Sequence, residues 1–256
     1  NKFEIIYKLL LRDCLEAGEL TENRTDFKTY KLFNKSFNIN LKEGFPIVTG
    51  KKIFFKKALA EFKWIYEGRT DLEYLHKHNI YWWDDFATGA TNTKSRSLGK
   101  IYGYQLRNFN GEVDQIEYVK RELFNYSRRA VITLWNPSDL KEQALPCCYT
   151  HLTFVRIKNK LNLAISFRSS DLFLGLPYDI IFGALFLYTI AKELSLTPHR
   201  LGINLADAHI YESHKDEVLK YIENSVYDLP KLTGSYNDYK LLGYKHGEYI
   251  KVDLVV

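Results

Sequence analysis

Two adjacent thiols raise the first chemical question: Cys147 and Cys148 lie in the run Ala144-Leu145-Pro146-Cys147-Cys148-Tyr149-Thr150. A thiolate nucleophile needs positive charge nearby to lower its pKa. Arginines flank the run in sequence, as Ser127-Arg128-Arg129 before it and Arg168-Ser169 after it. A cysteine at a strand entrance is often only a small buried hydrophobe, so the thiols alone leave both readings open. Glu61 stands inside an apolar helical stretch, where an unpaired carboxylate is costly. It calls for a buried ion partner or for proton-transfer work. Cys14, in the N-terminal apolar stretch, reads as a packed side chain.

The elements that must hold these side chains follow from hydrophobic period. Residues 3 to 16 predict an amphipathic helix with Ile5, Ile6, Leu9 and Leu10 on its inner face, closed near Gly18. Residues 30 to 41 alternate as a strand does, and residues 56 to 67 repeat at helical intervals up to Gly68. A strand-rich centre covers residues 130 to 135, 150 to 157 and 161 to 167, the last two joined by a turn at Lys158-Asn159-Lys160. Residues 180 to 194 are apolar over helical length and predict a buried helix. Residues 201 to 206 and 239 to 252 predict further strands. Helices and strands are interspersed without strict alternation, which predicts a mixed sheet with helices against it.

The chain has 256 residues, 46% hydrophobic and 15% aromatic, enough apolar area to exclude disorder. With no internal repeat or linker-like tract, residues 1 to 256 read as one domain. No apolar run reaches the roughly 18 residues of a membrane-spanning helix, and Glu4 comes too early for a signal peptide. The expectation is a soluble, cytoplasmic protein. Three cysteines, two of them adjacent, build neither a disulfide framework nor a spaced zinc site, so no metal is expected. Basic residues number 36 against 31 acidic, a net charge of +5. That admits nucleic-acid binding or a pocket for a small anion. The basic residues are scattered among acids, as in Lys215-Asp216-Glu217, and most of the charge reads as solvated surface.

Further runs carry more information than the charge. They are Asn23-Arg24-Thr25, Gly44-Phe45-Pro46-Ile47-Val48-Thr49-Gly50-Lys51, Ala60-Glu61-Phe62-Lys63-Trp64, Trp83-Asp84, and Ile101-Tyr102-Gly103-Tyr104-Gln105-Leu106-Arg107. After the thiols come Phe167-Arg168-Ser169-Ser170-Asp171-Leu172-Phe173-Leu174-Gly175-Leu176-Pro177-Tyr178-Asp179-Ile180 and Asp207-Ala208-His209-Ile210-Tyr211. In this order, over nearly the whole chain, they resemble the thymidylate synthase family and its pyrimidine hydroxymethylase relatives. The resemblance implies an α/β (α+β) fold in which a mixed sheet packs with helices and one sheet face forms a homodimer interface. In that family a cysteine adds to C6 of a pyrimidine nucleotide, and C5 attacks the one-carbon unit of 5,10-methylenetetrahydrofolate.

By this resemblance the nucleophile is Cys148, and Cys147 stands where the family usually has a second proline. Arg24, Arg168 and Ser169 match phosphate-binding positions, and Arg128 and Arg129 match a pair that the partner subunit donates. Such guanidinium forks also help ionise the thiol. Glu61 matches a glutamate that organises water and proton transfers at the base, and Tyr102 a tyrosine that assists proton abstraction from C5. Asp171 matches an aspartate of the folate site, and His209 with Tyr211 the pair on the sugar 3′-hydroxyl. Trp83, Gly175, Lys51 and Val256 complete the implied folate side. Trp83 borders the transferred carbon, Lys51 with other exposed lysines meets a polyglutamate chain, and Val256 ends a closing tail. His76, His78, His151 and His214 carry no implied role beyond surface or local hydrogen bonding.

Besides Cys147, three positions depart from the family pattern. Thymidylate synthases ordinarily carry asparagine where this chain has Asp179, donating to uracil O4 and accepting from N3. Cytosine reverses both groups, and a carboxyl group accepts from N4 and, when protonated, donates to N3. A site built to pair one polar edge rejects the mismatched one. Tyr149 replaces the histidine that orders water beside O4, and Phe167 replaces a glutamine, making that wall less polar. The resulting expectation is 5-hydroxymethylation of dCMP, as in deoxycytidylate hydroxymethylases, a chemistry suited to a virus that marks its DNA in its host's cytoplasm or to an antibiotic pathway. The alternatives are reductive methylation of dUMP to dTMP and reductive C5 methylation of dCMP. A non-catalytic nucleic-acid-binding module built on Lys51-Lys52 and Phe54-Phe55 leaves the thiol, the arginines and Glu61 unexplained.

Overall fold

The structure is a computed structural model that describes residues 1–87 and 97–255. Helix α1 (Lys2–Ala17) opens on Asn1, whose side chain accepts from the Glu4 N–H. Strands β1 (Glu19–Thr21) and β2 (Thr29–Asn40) lead to helices α2 (Phe55–Tyr66), α3 (Leu72–Lys77), α4 (Asp84–Ala87), α5 (Tyr102–Arg107) and α6 (Gln115–Phe124). Next come β3 (Val131–Thr133), β4 (Tyr149–Ile157), β5 (Lys160–Phe167), β6 (Ser170–Asp171), helix α7 (Gly175–Glu193) and β7 (Thr197–Tyr211). Helix α8 (Lys215–Glu223) and a hairpin of β8 (Lys231–Thr233) and β9 (Lys240–Leu242) complete the described elements.

Among the described residues one mixed sheet runs in the order β1-β2-β7-β5-β4-β3, with β6 also on β7. β5 and β6 pair with β7 in parallel, and the other pairings are antiparallel. The β4–β5 connection falls at the expected turn, where Lys158 takes the left-handed φ of 56° that a tight hairpin needs. Helix α7 is buried on nearly every side and lies against β5 and β7. It approaches closely at Gly183, where a Cβ would stand 2.6 Å from Ile165 Cδ1. No helix among the described residues is long and apolar enough to cross a membrane.

Three expectations about elements need correction. Helix α1 has the expected span but buries Phe3, Tyr7, Leu10, Leu11 and Cys14, leaving Ile5, Ile6 and Leu9 exposed. Both sets have helical spacing, and polar anchors choose between them. The buried Glu4 carboxylate accepts from the N–H groups of Thr49 and Gly50 and from Tyr221 Oη, while Tyr7 Oη donates to the Leu172 carbonyl. Residues 239 to 252 hold only the short β9, because the chain beyond it follows another segment instead of a sheet edge. There the Gly247 N–H donates to the Thr49 carbonyl and the Lys52 N–H to the Glu248 carbonyl. Finally, α7 begins at Gly175, ahead of the expected start at residue 180, and β7 runs on to Tyr211. Both extensions carry chemistry-bearing side chains into regular elements.

Candidate active site

Cys148 sits at the entrance to β4, and its N–H donates to the Tyr102 hydroxyl at 2.7 Å. Arg168, where β5 ends, donates from Nε to the Cys147 carbonyl at 3.0 Å and from Nη2 to the Pro146 carbonyl at 2.7 Å. The same Nη2 lies 3.8 Å from Cys148 Sγ, so the guanidinium is fixed beside the thiol by the loop that carries it. Burial pushes the Cys148 thiol up, Arg168 and Arg24 pull it down, and Asp179 pushes it up again. The arginines act in the expected direction, but burial outweighs them. Cys147 is fully buried and its thiol is pushed up to about 12, mainly by burial. Of the two cysteines at this loop, Cys147 is buried and Cys148 half-buried.

Two acids face one cavity of about 60 Å³, lined by Glu61, Trp83, Tyr102, Tyr149, Tyr178 and Asp179 among others. That volume holds about two water molecules. Glu61, in the middle of α2, accepts from Trp83 Nε1 at 2.5 Å and from Trp82 Nε1 at 3.0 Å, both on Oε1. Burial raises its carboxyl and the two indoles lower it. Asp179, one turn into α7, is raised well above the carboxylate range by burial and by the charges of Glu61 and Asp171. Tyr149 is buried, stacks near Tyr102 with ring centroids 4.5 Å apart, and touches Phe182 and Phe167. Tyr149 lines this cavity, and Phe167 lies buried against it.

The next side chains extend the site toward the end of the sheet. Asp171 and His209 are register partners on β6 and β7. Asp171 Oδ1 accepts from the N–H groups of Phe173 and Leu174, leaving Oδ2 without a hydrogen bond among the described residues. Gly175 lies between the acids, since a Cβ there would be 3.8 Å from both Asp171 Cβ and Asp179 Oδ2. His209 Nδ1 pairs with Asp207 Oδ1 at 2.9 Å, and its ring meets Tyr211 edge-on at 5.4 Å. Arg24 is exposed on the loop before β2, near enough for its charge to pull down both the Cys148 thiol and the Tyr211 hydroxyl. Ser169 is half-buried beside Arg168.

Other sequence-derived candidates fall elsewhere. Arg128 and Arg129 are exposed where the chain enters β3, with no carboxylate within 4.0 Å among the described residues. The contacts of Arg129 are made by its backbone, with Ser127 and Tyr118. Lys51 is not an exposed lysine. Its ammonium donates to the Phe173 carbonyl at 2.6 Å and lies 3.4 Å from the Phe173 ring centroid, so it is turned inward and shielded from a polyglutamate chain. Val256 lies outside the described residues.

The structure also adds residues that sequence reasoning missed. Trp82 reaches Glu61, Asp207 orients His209, and Lys31 bridges to Asp207 at 3.1 Å. His214, read as surface or local, is buried and pairs with the Asp253 carbonyl at 2.9 Å, docking the C-terminal segment. Asp207 was visible as the first residue of the Asp-Ala-His-Ile-Tyr run, whereas nothing in sequence paired Trp82 with Glu61 or His214 with Asp253.

The geometry suits a flat, anionic substrate and a flat co-substrate. The Arg168 guanidinium stands beside the thiol with Arg24 nearby, two acids face the small cavity lined by Trp83, Tyr102, Tyr149 and Tyr178, and Trp82 packs on Tyr178 with ring centroids 5.7 Å apart. Comparison with known proteins agrees. The thymidylate synthase family model matches residues 5–256. The chain is 35% identical to a thymidylate synthase of Symbiobacterium thermophilum, over 98% of each chain. It is 34% identical to one of Malacoplasma penetrans, over 93% of this chain and 92% of that one. The chain therefore belongs to the thymidylate synthase family, whose members transfer a one-carbon unit from methylenetetrahydrofolate to a pyrimidine nucleotide.

Proposed function

We propose that the chain hydroxymethylates C5 of dCMP through a covalent bond between Cys148 Sγ and C6. The observation that carries this reading is Asp179, a half-buried carboxyl in the cavity it shares with Glu61, raised above its ordinary range by desolvation and by the charges of Glu61 and Asp171. A carboxyl that keeps its proton donates to cytosine N3 and accepts from the 4-amino group. The asparagine usual in the family mispairs with both.

In this reading Arg24, Arg168 and Ser169 hold the 5′-phosphate, joined by Arg128 and Arg129 of a second copy in a homodimer. The exposure of that pair without acidic partners suits such a role. His209 and Tyr211 bind the 3′-hydroxyl. The phosphate site keeps Arg168 beside Cys148, which offsets the burial that raises the thiol. Thiolate attack at C6 makes C5 nucleophilic, and methylenetetrahydrofolate, held by Asp171, Trp83, Gly175 and the docked C-terminal segment, supplies the carbon. Tyr102 assists removal of the C5 proton while the bond from the transferred carbon to the folate nitrogen breaks, so tetrahydrofolate leaves and an exocyclic methylene remains. Water held beside Glu61 adds to that carbon, and release of Cys148 from C6 completes the turnover. The 60 Å³ cavity between the acids supports a water there.

The names of the relatives favour a second reading, reductive methylation of dUMP to dTMP. A neutral carboxyl that turns its hydroxyl toward O4 also meets uracil. The two readings separate when the protein is mixed with methylenetetrahydrofolate and C5-tritiated dCMP or dUMP. We expect tritium release from dCMP without dihydrofolate. Release from dUMP alone, with dihydrofolate formed, establishes the second reading. Cys148→Ser abolishes release and Cys147→Ser retains it. Asp179→Asn moves the ratio of kcat/KM for dCMP over dUMP toward dUMP by roughly two to four orders of magnitude, the range of a mispaired buried edge.

A further inference from the structure

Glu61 receives two indole N–H groups on one oxygen, from Trp83 at 2.5 Å and Trp82 at 3.0 Å. Asp179, on the facing wall of the same cavity, receives no hydrogen bond among the described residues. Two carboxylates facing so small a cavity repel, so one of them keeps a proton. Donors directed at a carboxylate favour its charged form, and an acid without donors is the better place for the proton. We propose that Trp82 is a positioning residue: its N–H, together with that of Trp83, holds Glu61 as the carboxylate and leaves the proton of the acid pair on Asp179.

The surroundings agree. The Trp82 ring is clamped between Tyr178, with centroids 5.7 Å apart, and the Lys57 ammonium, 5.7 Å from the ring, which directs the N–H at Glu61. Lys57 stands one turn before Glu61 on the same helix. From the other elements the facing groups are Tyr102, Tyr149 and Tyr178, whose hydroxyls burial pushes up and keeps neutral. Cys148 and Asp171 face Asp179. Burial raises both acids, but only Glu61 has hydrogen bonds that draw it back. The proton placed on Asp179 is the one that cytosine N3 lacks, a consequence that rests on the proposed reading of Asp179 as the base-edge residue. Trp82 then acts on base recognition without touching the base.

The test removes the donor and keeps the ring. In Trp82→Phe, loss of one charge-assisted hydrogen bond moves the acid limb of the pH–rate profile for C5 tritium release upward by about one to two pH units. Trp82→Gln, which restores an N–H, returns it toward the parent. A limb that stays in place while the rate falls uniformly overturns the proposal. Infrared spectra give a measurement independent of the Trp82 variants: the protonated-carboxyl C=O band of the parent disappears in Asp179→Asn and persists in Glu61→Gln. The opposite pattern puts the proton on Glu61 and also overturns it. Both nucleotides are assayed, so turnover of dUMP alone with the limb still shifted sinks the dCMP reading and leaves the role of Trp82 standing.

Discussion

Lys51 shows how far a single side chain departs from its sequence reading once it is buried. Its position in the Thr49-Gly50-Lys51 run implied an exposed contact for an anionic chain, yet its ammonium is enclosed by Phe173. Burial pulls it from the ordinary 10.5 down to about 7, against the opposing pull of Asp171 and Glu4. The unfolded chain therefore binds a proton that the folded chain has lost between these two values. Stability attributable to Lys51 rises with pH across that window, by up to about 1.4 kcal/mol per unit. In Lys51→Met that rise is expected to vanish from urea-unfolding free energies measured between pH 7 and 10; an unchanged slope would place the amine in water. The roles proposed for Cys148 and Asp179 were legible at this scale because thiol addition and base-edge pairing each demand particular atoms. The environment of Lys51 was not, since a lysine buries as readily under one aromatic ring as it projects into solvent.

At the scale of elements, α1 is the instructive case. Apolar residues occupy two helical faces, and sequence period alone favoured Ile5, Ile6, Leu9 and Leu10. The Glu4 and Tyr7 hydrogen bonds instead turn Leu11 inward and leave Leu9 about half exposed. Leu11→Ala is expected to cost about 2–5 kcal/mol of unfolding free energy, and Leu9→Ala no more than about 0.5 kcal/mol, by denaturant titration. Equal losses would restore the original face. The central strands, their hairpin and the buried α7 followed from apolar runs bounded by turn residues. The C-terminal segment did not, because its alternation serves contacts with residues 49 to 54 and with His214 in place of a sheet ladder. That docking brings Tyr249 onto Phe54 with ring centroids 5.3 Å apart.

For the whole molecule the open surface of the sheet matters most. Val131 pairs with Thr153, and Val155 and Ile157 follow at alternate positions, so all three point to one face, away from buried Leu152 and Phe154. All three are exposed, and Arg128 and Arg129 enter the sheet beside Val131. The proposed homodimer covers this face and carries that arginine pair to a neighbouring site. Val155→Glu combined with Ile157→Glu is expected to shift the protein to monomer in sedimentation velocity and to abolish tritium release, while far-UV circular dichroism stays unchanged. A variant that remains dimeric would place the interface elsewhere.

By itself the sequence determined the mixed α/β architecture, the family's reaction class and the residue types proposed for the thiol, phosphate and base-edge roles. These depend on local period or on chemistry that few side chains perform, and both are written along the chain. Only the tertiary structure decided which oxygen of which acid is solvated by indole, how deeply Lys51 is buried, which face of α1 turns inward and where the C-terminal segment docks. Trp82 and Glu61, or His214 and Asp253, meet across separate elements. Desolvation and hydrogen bonding at such meetings are properties of packing, which no stretch of sequence holds alone.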